Sequence, residues 1–146
     1  MRYPENLIAI MRQDLTQYGV QETRTPDDVD RILSRDSGTV LMVINSVCGC
    51  AAGKARPAVG LALKNSANKP DAAATVFAGA DLEAVARVRE KLSAFPPSSP
   101  SMALFRNGEP VFMLHRSDIE SSTAPEIAQR LTEAFDQYCV PAGDRS

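Results

Sequence analysis

Residues 39–47, Thr-Val-Leu-Met-Val-Ile-Asn-Ser-Val, carry no charged side chain and are dense in β-branched residues. The pattern predicts a central strand buried on both faces, which needs other strands beside it and helices above and below. The flanking sequence supplies them. Leu7, Ile8, Met11, Leu15 and Tyr18 fall at helical spacing, so residues 4–18 read as an amphipathic helix. Thr25-Pro26-Asp27-Asp28 is a helix start, with a Thr cap, Pro at the first helical position and two carboxylates at the positive end of the dipole. That helix is expected to end near Arg35. Beyond Gly49 the residues are small and helix-compatible, predicting a helix that begins at or just after the cysteines and is kinked or interrupted at Pro57.

Residues 74–78 read as a second buried strand, and Asp81 is expected to cap a helix over residues 82–93. Residues 95–101, Phe-Pro-Pro-Ser-Ser-Pro-Ser, can hold no regular structure. Two short apolar runs then flank Asn107-Gly108, the signal of a β-hairpin. Thr123-Ala124-Pro125-Glu126 matches a capping box that opens a last helix through Ile127, Leu131, Phe135 and Tyr138. The parts sum to the α/β class: a three-layer sandwich with a mixed sheet of four to five strands flanked by helices, the thioredoxin-like plan. With 146 residues, 44% of them hydrophobic, the chain fits a single domain spanning 1–146, with residues 1–36 as an N-terminal helical segment packed on it.

Composition narrows the function. Sixteen Lys plus Arg against eighteen Asp plus Glu, 5% aromatics and no Trp offer neither a basic excess nor stacking platforms, so nucleic acid is not an expected partner. The longest aliphatic run, residues 40–44, is far short of the roughly 18 residues that span a bilayer, and no membrane association is expected. Residues 1–5 lead into an amphipathic stretch and not the apolar block of a secretory signal, so the expected location is cytoplasmic. Three cysteines are too few for a disulfide framework; closely spaced ones in a reducing compartment read as catalytic or metal-binding.

Cys48-Gly49-Cys50 falls where the buried strand ends and a helix is expected to start, a position that lowers a thiol pKa. Between Asp36 and Asp71 there is no acidic residue, while Lys54, Arg56, Lys64 and Lys69 are cationic; this field is expected to favour thiolate. Cysteines at i and i+2 can reach each other for thiol-disulfide exchange, with Gly49 expected to permit an unusual backbone.

The segment Asn45-Ser46-Val47-Cys48-Gly49-Cys50-Ala51-Ala52-Gly53, followed by Ala55-Arg56-Pro57-Ala58 and later by Pro97-Ser98-Ser99-Pro100-Ser101-Met102-Ala103-Leu104, resembles the bacilliredoxin family over residues 5–139. These are thioredoxin-like proteins of bacteria that make the thiol bacillithiol. The resemblance implies removal of bacillithiol from S-bacillithiolated proteins, with Cys48 as nucleophile, Cys50 as resolving thiol, bacillithiol as co-substrate and no bound cofactor. The expected partners are S-bacillithiolated or disulfide-containing proteins and a low-molecular-weight thiol. In the wider thioredoxin-like fold a cis-proline before the hairpin faces the cysteines, a role that falls here on Pro100 after Ser99. Gly49, Ser99, Pro100 and Arg56 are therefore the expected substrate-binding residues, Arg56 or Lys54 by attracting carboxylates of the thiol. From residues 116–123 the resemblance carries no site residue. Two alternatives stand beside it: a general protein disulfide reductase or isomerase, and a soft-metal-binding module without turnover. A closed zinc site would need four ligands, and only His115 and Cys139 could join the pair. Cys139 reads as a packed core thiol and His115 as a strand-end surface residue.

Overall fold

A computed structural model of the chain describes residues 3–139. The chain runs α1 (Glu5–Thr16), β1 (Gln21–Glu22), α2 (Pro26–Ile32), β2 (Thr39–Asn45), a π-helical turn (Ala51–Ala55), α3 (Arg56–Asn65), β3 (Ala72–Phe77), α4 (Leu82–Lys91), β4 (Ser101–Arg106), β5 (Glu109–Leu114), α5 (Arg116–Glu120) and α6 (Ala124–Tyr138). The strands form one sheet in the order β1-β3-β2-β4-β5. β1 and β2 lie parallel to β3, β4 is antiparallel to β2, and β5 is antiparallel to β4.

Every residue of β2 is buried, and its alternation feeds two cores. Leu41 and Val43 point into a cluster with Ala55, Ala58, Val59, Leu131 and Phe135, from the π turn, α3 and α6. Val40, Met42 and Ile44 point the other way, into a cluster with Val29, Val85 and Val88 from α2 and α4. β4 repeats the division: Met102 and Leu104 face the first core, Ala103 and Phe105 the second. This is the three-layer arrangement that an uncharged central strand requires. Full burial of a residue such as Leu131 or Phe135 stabilises by about 1.5–3 kcal/mol, so α6 is held on the sheet by its apolar stripe as well as by its cap. The cap is reciprocal: Thr123 Oγ1 accepts from the Glu126 N–H at 3.3 Å, and Glu126 Oε1 accepts from the Thr123 N–H at 2.8 Å. The hairpin turns on Asn107 and Gly108, at φ 50° and 85°, as a two-residue turn with right-handed strand twist demands.

The structure departs from the sequence expectations in three places. β1 and α5 are short elements that the sequence does not announce. α2 stops at Ile32, short of Arg35, where Leu33 leaves helical geometry. Asp81 makes no side-chain cap on α4; it accepts the Phe77 N–H at 3.0 Å and pairs with the buried guanidinium of Arg12 through two contacts of 2.9 Å. As expected, helical structure starts at the cysteines, from Gly49, and is interrupted at Pro57, the interruption being a wider π turn that ends just before the proline. In an α-helical register the proline ring would meet the carbonyl of Gly53, and the π turn relieves that clash.

Candidate active site

The site begins with how β2 ends. Asn45 Oδ1 accepts the Ser46 N–H at 2.9 Å, and Ser46 Oγ in turn accepts the Cys48 N–H at 3.1 Å. These local bonds turn the chain out of the sheet in two residues. The Cys48 carbonyl then accepts the N–H groups of Ala51 and Ala52 at 3.0 and 3.2 Å, so Cys48 opens the helical segment. Its sulfur accepts the Cys50 N–H at 3.4 Å and lies 2.6 Å from Cys50 Sγ. Both cysteines are half-buried and unbonded.

The two thiols are driven apart in acidity. Burial pushes Cys48 up, but the hydrogen bond from Cys50, the backbone N–H groups of Cys50 and Ala51 and the charge of Arg116 together hold it below the ordinary thiol value. Burial pushes Cys50 up as well, and the hydrogen bond and charge of Cys48 push it further; Arg116 opposes and Glu120 adds. The pair therefore favours a thiolate at Cys48 beside a thiol at Cys50. That is the asymmetry exchange requires: a nucleophile in place and a second thiol within reach.

The peptide bond Ser99-Pro100 is cis. Ile44 pairs with Ser101 in the β2–β4 ladder, so the two residues before Ser101 lie at the end of β2 from which Cys48 emerges. Pro100 is buried and Ser99 half-buried.

Arg56 is 3% exposed. Its Nη1 bonds Asn45 Oδ1 at 3.4 Å and the Ser46 carbonyl at 3.5 Å, and its Nε lies 3.4 Å from a carboxylate oxygen of Asp14. The guanidinium thus props the loop from beneath and is not offered to solvent beside the sulfurs. Gly49 is exposed, its φ is not positive, and a Cβ added there meets nothing within 4 Å. The expectation that this glycine permits an unusual backbone is corrected; between the two cysteines it leaves open space where a side chain would stand. Lys54 is occupied with the Glu120 carbonyl at 2.6 Å. Cys139 is buried in the core, and the ring of His115 packs on Phe95. Among the described residues no group of three or more His, Cys, Asp or Glu comes together in metal-binding geometry.

The residue that sequence reasoning missed is Arg116. Its charge is among the largest influences on both thiols and lowers the pKa of each. Its Nη1 donates to the Ser99 carbonyl at 3.1 Å, its backbone N–H to Ser98 Oγ at 3.2 Å, and its Nε to Glu120. Topology contained the signal: two antiparallel reversals make β5 run parallel to β2, so the residues just after β5 arrive at the edge where Cys48 lies.

The fold and the thiol pair place the chain among thiol-disulfide oxidoreductases of the thioredoxin plan. A thioredoxin from Halobacterium salinarum, carrying one substitution, superposes with a TM-score of 0.56 at 18% identity, covering 84% of this chain and 92% of that one. Thioredoxin O1 from Arabidopsis thaliana gives 0.56 at 13% identity, covering 83% and 98%. A family model described as disulphide isomerase matches residues 3–139. A bacilliredoxin of Salinibacter ruber is 54% identical over 95% of this chain and 82% of its own length. One from Koribacter versatilis is 50% identical over 99% of each chain, and one from Bacillus cereus 45% identical over 94% and 95%. The chain belongs to the bacilliredoxin family and is a thiol-disulfide oxidoreductase.

Proposed function

We propose that this protein reduces mixed disulfides between protein cysteines and bacillithiol. In the first step the Cys48 thiolate attacks the bacillithiol sulfur; an S–S bond forms between Cys48 and bacillithiol, and the protein thiolate leaves and takes a proton. In the second, Cys50 gives up its proton and attacks Cys48 Sγ; the Cys48–Cys50 disulfide forms and bacillithiol leaves as thiolate. The protein ends oxidised by two electrons, and a dithiol or two small thiols must reduce it before the next cycle. Bacillithiol is thus a co-substrate and no resident cofactor is needed. The partners are S-bacillithiolated proteins, met in the cytoplasm.

The observation that carries this reading is the opposite displacement of two thiols whose sulfurs are 2.6 Å apart. Ser99 and Pro100, at the neighbouring end of β4, are the backbone against which the substrate docks, and exposed Gly49 leaves room for the incoming disulfide. The printed name of the relatives, bacilliredoxin, supports bacillithiol as the thiol.

The test is release of bacillithiol from a bacillithiolated peptide. The native protein should release it; Cys48→Ser should not; Cys50→Ser should accept one bacillithiol and stop. Full activity of Cys48→Ser would overturn the mechanism. A second reading, exchange among protein disulfides, is favoured by the family description. Activity on a scrambled protein with none on the bacillithiolated peptide would establish it instead.

A further inference from the structure

Between α5 and the proline segment lies a groove of about 510 Å³ walled by Pro96, Pro97, Ser98, His115, Ser117, Glu120 and Arg116, the last being the arginine whose charge acts on both thiols. That volume is within the range of small-ligand clefts, about 300–1,000 Å³. α5 forms one side and packs on the π turn that follows the cysteines, with Lys54 tying the two together through the Glu120 carbonyl. The proline segment that leads to Ser99-Pro100 forms the other. The groove thus joins an element packed on the π turn to the segment that leads into the cis-proline.

The wall carries one unusual group. Arg116 spans the groove from α5 to the Ser99 carbonyl, and its two side-chain bonds use Nε and Nη1. The side chain is still 46% exposed, which leaves the Nη2 end for a ligand. Glu120, the carboxylate in the same wall, is paired with Arg116 Nε, and the other titratable group there, His115, packs at a tilt against Phe95. A planar guanidinium with a free edge, set in a cleft, suits a carboxylate better than a neutral hydroxyl.

We propose that this groove holds the small-thiol half of the mixed disulfide and that Arg116 binds a carboxylate on it, making the enzyme selective for mixed disulfides of carboxylate-bearing thiols. The inference rests on the mixed-disulfide reading above and adds to it the chemical class of thiol and the residue that selects it. The part first expected of Arg56 or Lys54 falls to a residue of α5.

The test uses one peptide made as two mixed disulfides, with 2-mercaptosuccinate and with 2-mercaptoethanol, and compares exchange rates at limiting substrate for the native protein, Arg116→Gln and Arg116→Lys. The ratio of the two rates within each protein cancels the fraction folded and any change in Cys48 ionisation. The native protein should prefer the mercaptosuccinate disulfide. In Arg116→Gln that preference should fall about tenfold or more, the worth of a charge-assisted hydrogen bond, and Arg116→Lys should restore part of it. An unchanged ratio in Arg116→Gln, or a native preference for mercaptoethanol, overturns the inference while leaving exchange intact. No exchange with either disulfide by the native protein would sink the exchange reading itself.

Discussion

At the scale of single residues, reactivity is set by who donates to Cys48 Sγ. Its acidity comes from a thiol, two backbone N–H groups and one arginine, against the opposing effect of burial. The sign is direct: a lowered pKa puts thiolate formation, and with it the rise in alkylation rate, at lower pH than a free cysteine, which titrates at about 8.5. Iodoacetamide labelling of Cys48, followed by mass spectrometry across pH, should show that rise. Cys50→Ala removes a donor and should move the rise upward; Cys50→Ser, whose hydroxyl can still donate, should move it less. Arg116→Gln should also move it upward, and in the native protein salt should act in the same direction, because the arginine is half exposed and screened. A Cys48 profile that does not respond to any of these changes would mean that its surroundings do not govern its ionisation.

At the scale of elements, the segment bearing the cysteines is held from behind by helix packing that depends on small residues. Ala55, Ala58 and Ala62 are at most 1% exposed and lie in the core that α3 shares with α6. Ala58→Leu should overpack that contact and cost about 1–3 kcal/mol in denaturant unfolding; a neutral result would mean the interface has slack. Elements with strong local signals were legible in the sequence: uncharged β2, the Asn107-Gly108 turn and the Thr123–Glu126 capping box each contain their own cause within a few residues. β1 is only Gln21–Glu22, polar and too short to show a period. α5, Arg116–Glu120, reads locally as a charged loop. Its place beside the thiols follows from the direction in which the hairpin returns, and so the cysteines were legible but the arginine that acts on them was not. Asp81 was read as a local cap because its true partner, Arg12, is 69 positions away in the chain.

At the scale of the molecule, that same pair fastens the N-terminal helix to the corner between β3 and α4. Arg12 is 4% exposed, contacts Asp81 and Glu5, and lies over the Phe77 ring at 5.3 Å. Removing it strands a buried carboxylate, so Arg12→Ala should cost about 3 kcal/mol in denaturant unfolding. It should leave the Cys48 alkylation profile of the folded protein close to native, since the largest influences on the thiols come from burial, the pair itself, the neighbouring backbone, Arg116 and Glu120. Loss of stability with a shifted profile would show that the corner and the site are coupled. The central claim, that Cys48 attacks and Cys50 resolves, is tested most directly by mixing the reduced protein with oxidised bacillithiol, quenching with acid at successive times and locating the modification by mass spectrometry. The account predicts a bacillithiol adduct on Cys48 that gives way to a Cys48–Cys50 disulfide. An adduct that forms first on Cys50, or the absence of both species, would contradict it.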